Sequence, residues 1–199
     1  MSKEYEKRLY VPDQLRLQAA SDTTPALIVG HAAVFNQLSE DLGGFREKIA
    51  PGAFANSIAS RDVRALFNHN SDFVLGRRGA GTLRLGEDET GLGIEIDPPD
   101  TSFARDLLVS MDRGDINQMS FGFVAIKDQW VKLDGEWIRT LLEIDLYEVS
   151  PVTFPAYPQT SVSARSMEAW QDAKRKDAPP DDAWQHEQRR LRLRMLTAA

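Results

Sequence analysis

Apolar and polar positions divide the chain into a strand-rich stretch, residues 1–164, with short helical interruptions, and a charged tail, residues 165–199. In Ile116-Asn117-Gln118-Met119-Ser120-Phe121-Gly122-Phe123 the alternation is clear. A strand there points Met119, Phe121 and Phe123 to one face, with Ser120 and Gly122 on the other. Residues 26–35 are apolar except for His31, as in a buried strand. Pro51-Gly52 predicts a turn into a short helix that presents Phe54 and Ile58 on one side. Residues 81–85 and 91–96 predict a hairpin, and Asp134-Gly135 marks a second between residues 130–133 and 137–142. Residues 101–113 predict a helix capped by Thr101 or Ser102, with Phe103, Leu107, Leu108 and Met111 inward and Gly114 as the stop. Strands so closely spaced, with one or two helices among them, predict a mainly β α+β fold: a closed or nearly closed barrel with peripheral helices.

Composition narrows the function classes. A chain of 199 residues can bury a core, and 42% hydrophobic with 27% charged residues is ordinary for a globular protein. The formal charge of −6 gives no reason to expect a nucleic-acid partner. The absence of cysteine excludes a disulfide scaffold, a thiol nucleophile and a Cys-based zinc site. Three scattered histidines, His31, His69 and His186, share no helix face, so no metal or other cofactor is expected. The charged N-terminus has no signal-like apolar stretch behind it and no run is long enough to cross a bilayer, so a soluble cytoplasmic protein is the expectation. The tail carries eight Lys/Arg against six Asp/Glu. Within it, residues 174–182 read as a linker, followed by a helix with Trp184, Leu191 and Met195 on one stripe.

Candidate chemistry gathers around Ser120. Acyl transfer by a serine needs a base for its proton, a group to orient that base and donors for the oxyanion. His69 ends the apolar run 63–67 among polar neighbours, so it is the candidate base. Glu148 and Asp145 compete to orient it, and His31 remains an alternative. Simple alternation places Ile144, Leu146 and Glu148 on one face of a strand and Asp145, Tyr147 and Val149 on the other. A carboxylate on an apolar face needs a partner, which favours Glu148. Arg77 and Arg78 are candidates for oxyanion support, with surface ion pairs as their plainer reading.

Five segments in order carry a family resemblance. They are Gly30-His31-Ala32-Ala33-Val34-Phe35-Asn36, residues 45–54, Leu66-Phe67-Asn68-His69-Asn70 with Leu75-Gly76-Arg77, residues 113–123, and residues 146–158 with Tyr147-Glu148-Val149-Ser150-Pro151. The chain resembles the prohead maturation proteases of tailed bacteriophages, considered similar in fold to the herpesvirus assembly proteases. The resemblance implies a serine endopeptidase inside the immature capsid of the host cytoplasm. It would act on scaffolding protein or a scaffold extension of the major capsid protein, often with self-cleavage and self-association. By motif, it assigns Ser120 as nucleophile, His69 as base and Glu148 as third member. The tail would then target the enzyme or be autoprocessed. Ser150 receives no part, and its replacement by alanine is expected to leave cleavage intact. The rival reading is a non-catalytic capsid or scaffold component built on the same barrel.

Overall fold

In the computed structural model, residues 4–10, 15–18, 26–154 and 171–172 are described. The chain divides into two units, residues 1–163 and 164–199. The first is a mainly β α+β fold; the linker and helix expected in the tail lie outside the described residues.

Ten strands, two α-helices and a short 3-10 helix (Arg78–Ala80) are found among the described residues. The strands are β1 (Tyr5–Tyr10), β2 (Arg16–Gln18), β3 (Leu27–Val34), β4 (Phe45–Ile49), β5 (Arg64–Phe67), β6 (Asn70–Arg77), β7 (Leu83–Glu87), β8 (Gly91–Ile96), β9 (Gln118–Leu133) and β10 (Glu136–Val152). The α-helices are α1 (Ala55–Ser60) and α2 (Ser102–Asp112). One sheet runs β1-β9-β10-β5-β6, with β4 also on β10; the other runs β2-β3-β8-β7. Residues of both sheets share one core, including Ile28, Leu92 and Ile96 from the second and Phe121, Phe123 and Leu141 from the first. Burial of such side chains is worth about 1.5–3 kcal/mol each.

The predicted hairpins are present. Asp134 and Gly135 take φ of 50° and 90°, the left-handed pair that a two-residue turn requires, and join β9 to β10. Helix α2 buries Ala104, Leu107 and Met111, and Gly114 at φ 81° follows its end.

The sequence predicts a closed or nearly closed barrel; among the described residues, strand pairing gives two sheets, the larger one strongly curled, and no closed ring. The reason lies in β10. One edge pairs with β9, while the other is shared by β4, at residues 137–141, and β5, at Glu148 and Val149. Between them the edge has no strand partner, and α1 fills the gap. The Ser57 hydroxyl donates to the Ile144 carbonyl at 2.5 Å and accepts from the Leu146 amide at 2.9 Å. Ladder shifts between Leu141 and Glu143, Glu143 and Ile144, and Leu146 and Glu148 interrupt the strand here, and such bulges bend the strand and curl its sheet.

Strand β1 was invisible in the sequence pattern. Its charged residues Glu6 and Arg8 are buried, and they meet buried Glu47 of β4 and Arg139 of β10. Arg139 also reaches Asp128 of β9 at 2.7 Å. Two guanidiniums and three carboxylates thus fasten β1 to the sheet through ion pairs inside the fold.

Candidate active site

His69 stands in the two-residue turn between β5 and β6, where Phe67 pairs with Asn70. Asn68 and His69 have φ of 52° and 58°, both left-handed. Asparagine tolerates this conformation better than most residues; histidine adopts it at a cost that surrounding contacts must offset. Those contacts come from the end of β10. The Asn68 amide donates to the Pro151 carbonyl at 3.0 Å. Its side chain accepts from the Thr153 amide at 2.9 Å and donates to the Thr153 hydroxyl at 3.0 Å. The His69 amide donates to the Ser150 hydroxyl at 3.3 Å.

The imidazole Nδ1 lies 2.6 Å from Glu148 Oε1, with both side chains largely buried. A carboxylate partner places the proton on Nδ1 and leaves Nε2 as the basic nitrogen. Glu148 reaches this position through a register shift. Leu146 pairs with Phe123 and Val149 with Phe121, both on the core face, but Glu148 pairs with Gly122 on the opposite face. The bulge at Tyr147 corrects the alternation read from sequence: Glu148 leaves the face of Leu146 and joins that of Ser120, while Val149 turns into the core.

Two further hydroxyls hold the same carboxylate. Ser150 donates to Oε2 at 2.5 Å, and Tyr5 of β1 donates to Oε1 at 3.0 Å. Burial, then the charge of Glu148, push the Tyr5 phenol well above its ordinary value, so it remains a donor. Gly122 makes this arrangement possible, because a Cβ there would overlap the Tyr5 hydroxyl and Glu148 Oε1. The space that the sequence places beside Ser120 is therefore occupied by the carboxylate and its donor. Tyr5 was not singled out from sequence, and Ser150 was named there only as a residue whose loss leaves cleavage intact, an expectation its contacts with His69 and Glu148 argue against. Ser150 carries one legible signal, its place two residues from Glu148 on the same strand face.

Met119, Phe121 and Phe123 are fully buried in the core, as the alternation predicts. Ser120 faces the other way, pairs with Ser150 across the ladder and with Leu9 of β1, and is itself fully buried. Its hydroxyl donates to the Arg8 carbonyl at 2.9 Å, and no hydrogen bond joins it to His69. The other candidates are engaged elsewhere. Asp145 is held by Arg61, with 2.5 Å between Nε and Oδ1, and His31 Nε2 of β3 lies 2.7 Å from Asp88 in the β7–β8 turn. Arg77 contacts Asp62 at 2.5–2.7 Å, and Arg78 donates to the carbonyls of Arg61 and Ala59. Both arginines thus anchor the 59–62 segment. A groove of about 440 Å³ opens beside Glu148, with Tyr5, Arg61, Arg64, Leu66 and Tyr147 in its lining. Among the described residues no group of three His, Asp or Glu side chains is placed to hold a metal ion, and no helix is long and apolar enough to cross a membrane.

Over 156 residues the chain is 32% identical to the prohead protease of Enterobacteria phage HK97, a match that covers 76% of this chain and 65% of that protein, just under two thirds of its length. The solved structure of the bacteriophage T4 capsid assembly protease superposes with a TM-score of 0.50, covering 78% of this chain and all of that one; at 8% identity the likeness is one of fold alone. Residues 13–173 match the caudovirus prohead serine protease family, and the chain belongs to it.

Proposed function

We propose that the chain is a serine endopeptidase that cleaves capsid or scaffold precursors during prohead maturation, with Ser120 as nucleophile, His69 as base and Glu148 orienting the base. The observation that carries this reading is the partly buried 2.6 Å contact between His69 Nδ1 and Glu148, the latter on the strand face that also bears Ser120. In the reaction, the Ser120 hydroxyl exchanges the Arg8 carbonyl for His69 Nε2. The proton passes to Nε2 as Oγ attacks the substrate carbonyl carbon, and Glu148 stabilises the imidazolium. His69 then protonates the leaving amine as the peptide bond breaks, and a water activated by the same nitrogen hydrolyses the acyl ester. The groove beside Glu148 is the place for substrate residues flanking the scissile bond.

The same reading takes the curled sheet and its flanking helices as an arrangement of the herpesvirus assembly-protease kind. Its partners would be the major capsid protein and the scaffold, met inside the prohead, with the tail of residues 165–199 as a targeting or autoprocessed segment. One observation favours the rival, a non-catalytic capsid component: Ser120 is fully buried and its hydroxyl is already bonded. A fluorophosphonate separates the two. The purified chain is expected to gain one phosphonate, mapped by peptide mass to Ser120; an unlabelled chain, or label on another serine, would overturn the assignment.

Gly122→Ala tests the geometry. The added methyl displaces Tyr5 and Glu148, and a shift of about 1 Å in a catalytic group can cost on the order of 100-fold. Labelling should slow by about that factor while the far-ultraviolet circular dichroism stays that of the wild type.

A further inference from the structure

Ser150 is fully buried, stands directly across the ladder from Ser120, and touches both halves of the His69–Glu148 pair. Its hydroxyl donates to Glu148 Oε2 at 2.5 Å while accepting the His69 amide at 3.3 Å. We infer that Ser150 is a positioning residue of the catalytic unit: one hydroxyl fixes the carboxylate's rotation and holds the turn that presents the imidazole. The inference rests on the catalytic reading above and names a part of that site which the triad assignment leaves out.

The geometry makes the role specific. Glu148 Oε1 is shared by His69 and Tyr5, so Oε2 depends on Ser150. A carboxylate with one oxygen undersatisfied in a buried site turns toward other donors, and the 2.6 Å contact to Nδ1 is what such a turn breaks. On the His69 side, the left-handed backbone must be held by its neighbours, and the Ser150 hydroxyl is the partner of that residue's own amide. Both functions need an oxygen at the position of Oγ. Threonine keeps an oxygen at that position and is a residue at home in strands.

The second-order rate of fluorophosphonate labelling, measured on the purified full chain, tests this. A hydrogen bond to a charged group is worth enough for at least about a tenfold effect. Ser150→Ala should label at least about tenfold more slowly, and Ser150→Thr, which keeps the oxygen, should recover to within about threefold of wild type. A wild-type rate in Ser150→Ala would overturn the inference alone, and so would a slowed rate with no recovery by threonine, the mark of a packing defect. No labelling of the wild-type chain would overturn the catalytic reading and this inference with it.

Discussion

His69→Ala is expected to stop processing when the chain is co-expressed with the capsid precursor of its phage and the products are followed on a gel. The magnitude follows from the way such units work: nucleophile and base act together, and loss of either removes roughly 10^4- to 10^6-fold of turnover. Ser120→Ala should match it, and the double variant should be no worse than either single one. Glu148→Gln should cost about 10^3- to 10^4-fold, because an amide can present its NH2 to Nδ1 and favour the wrong tautomer. His31→Ala is the informative contrast. Its ring pairs with Asp88 of the β7–β8 turn and not with Glu148, so processing should stay within about threefold. Normal processing by His69→Ala, or loss equal to it in His31→Ala, would overturn the assignment of the base.

The second large effect is on stability. Arg139 donates to both oxygens of Glu6 at 2.9–3.2 Å, to Glu47 at 3.0 Å and to Asp128 at 2.7 Å, and is almost wholly buried. Arg139→Ala leaves buried Glu6 and Glu47 with Arg8 as their remaining guanidinium, and breaking a buried pair from one side costs about 3–5 kcal/mol. Urea unfolding should show a correspondingly lower midpoint with an unchanged slope. Arg139→Lys should recover little, since one ammonium cannot span three carboxylates in a planar fork. The network also sets a pH window. Burial alone would raise the Glu6 carboxyl, but Arg8 and Arg139 outweigh it and hold it below its ordinary value of 4.5. A depressed carboxylate contributes stability that is present above its unfolded value and is lost as pH falls through the folded one. Acid should therefore loosen the fold below about pH 4.5, and Arg139→Ala should weaken that dependence. Because this network fastens β1, which brings Tyr5 to Glu148, the variant should also label more slowly.

These effects divide by what is local and what is not. The face of Ser120, the Asp134-Gly135 hairpin, the α2 helix and the Pro-Gly entry to α1 were legible because each depends on periodicity or turn chemistry within a few residues. Alternation failed at Glu148. It placed the residue beside Leu146, and the bulge at Tyr147 moved it to the Gly122 face. A one-residue slip changes every side chain that follows, and no composition signal marks it here. The same limit hid β1. Glu6 and Arg8 look solvated in sequence, and only partners about 40 and 130 residues away make their burial tolerable.

The amino-acid sequence by itself determined a mainly β chain with a serine on the face of a strand opposite its core residues, a histidine after an apolar run, and a carboxylate segment to complete them. Which carboxylate faces the histidine was decided by the tertiary structure, through the bulge in β10 that carries Glu148 over Gly122. So were the hydrogen bonds of Ser150 and Tyr5 to the carboxylate, and those of Arg77 and Arg78 to the 59–62 segment. The reason is physical: periodicity reports which face a residue takes within its own element, whereas hydrogen-bond partners depend on strand register, and register is set by contacts between distant parts of the chain.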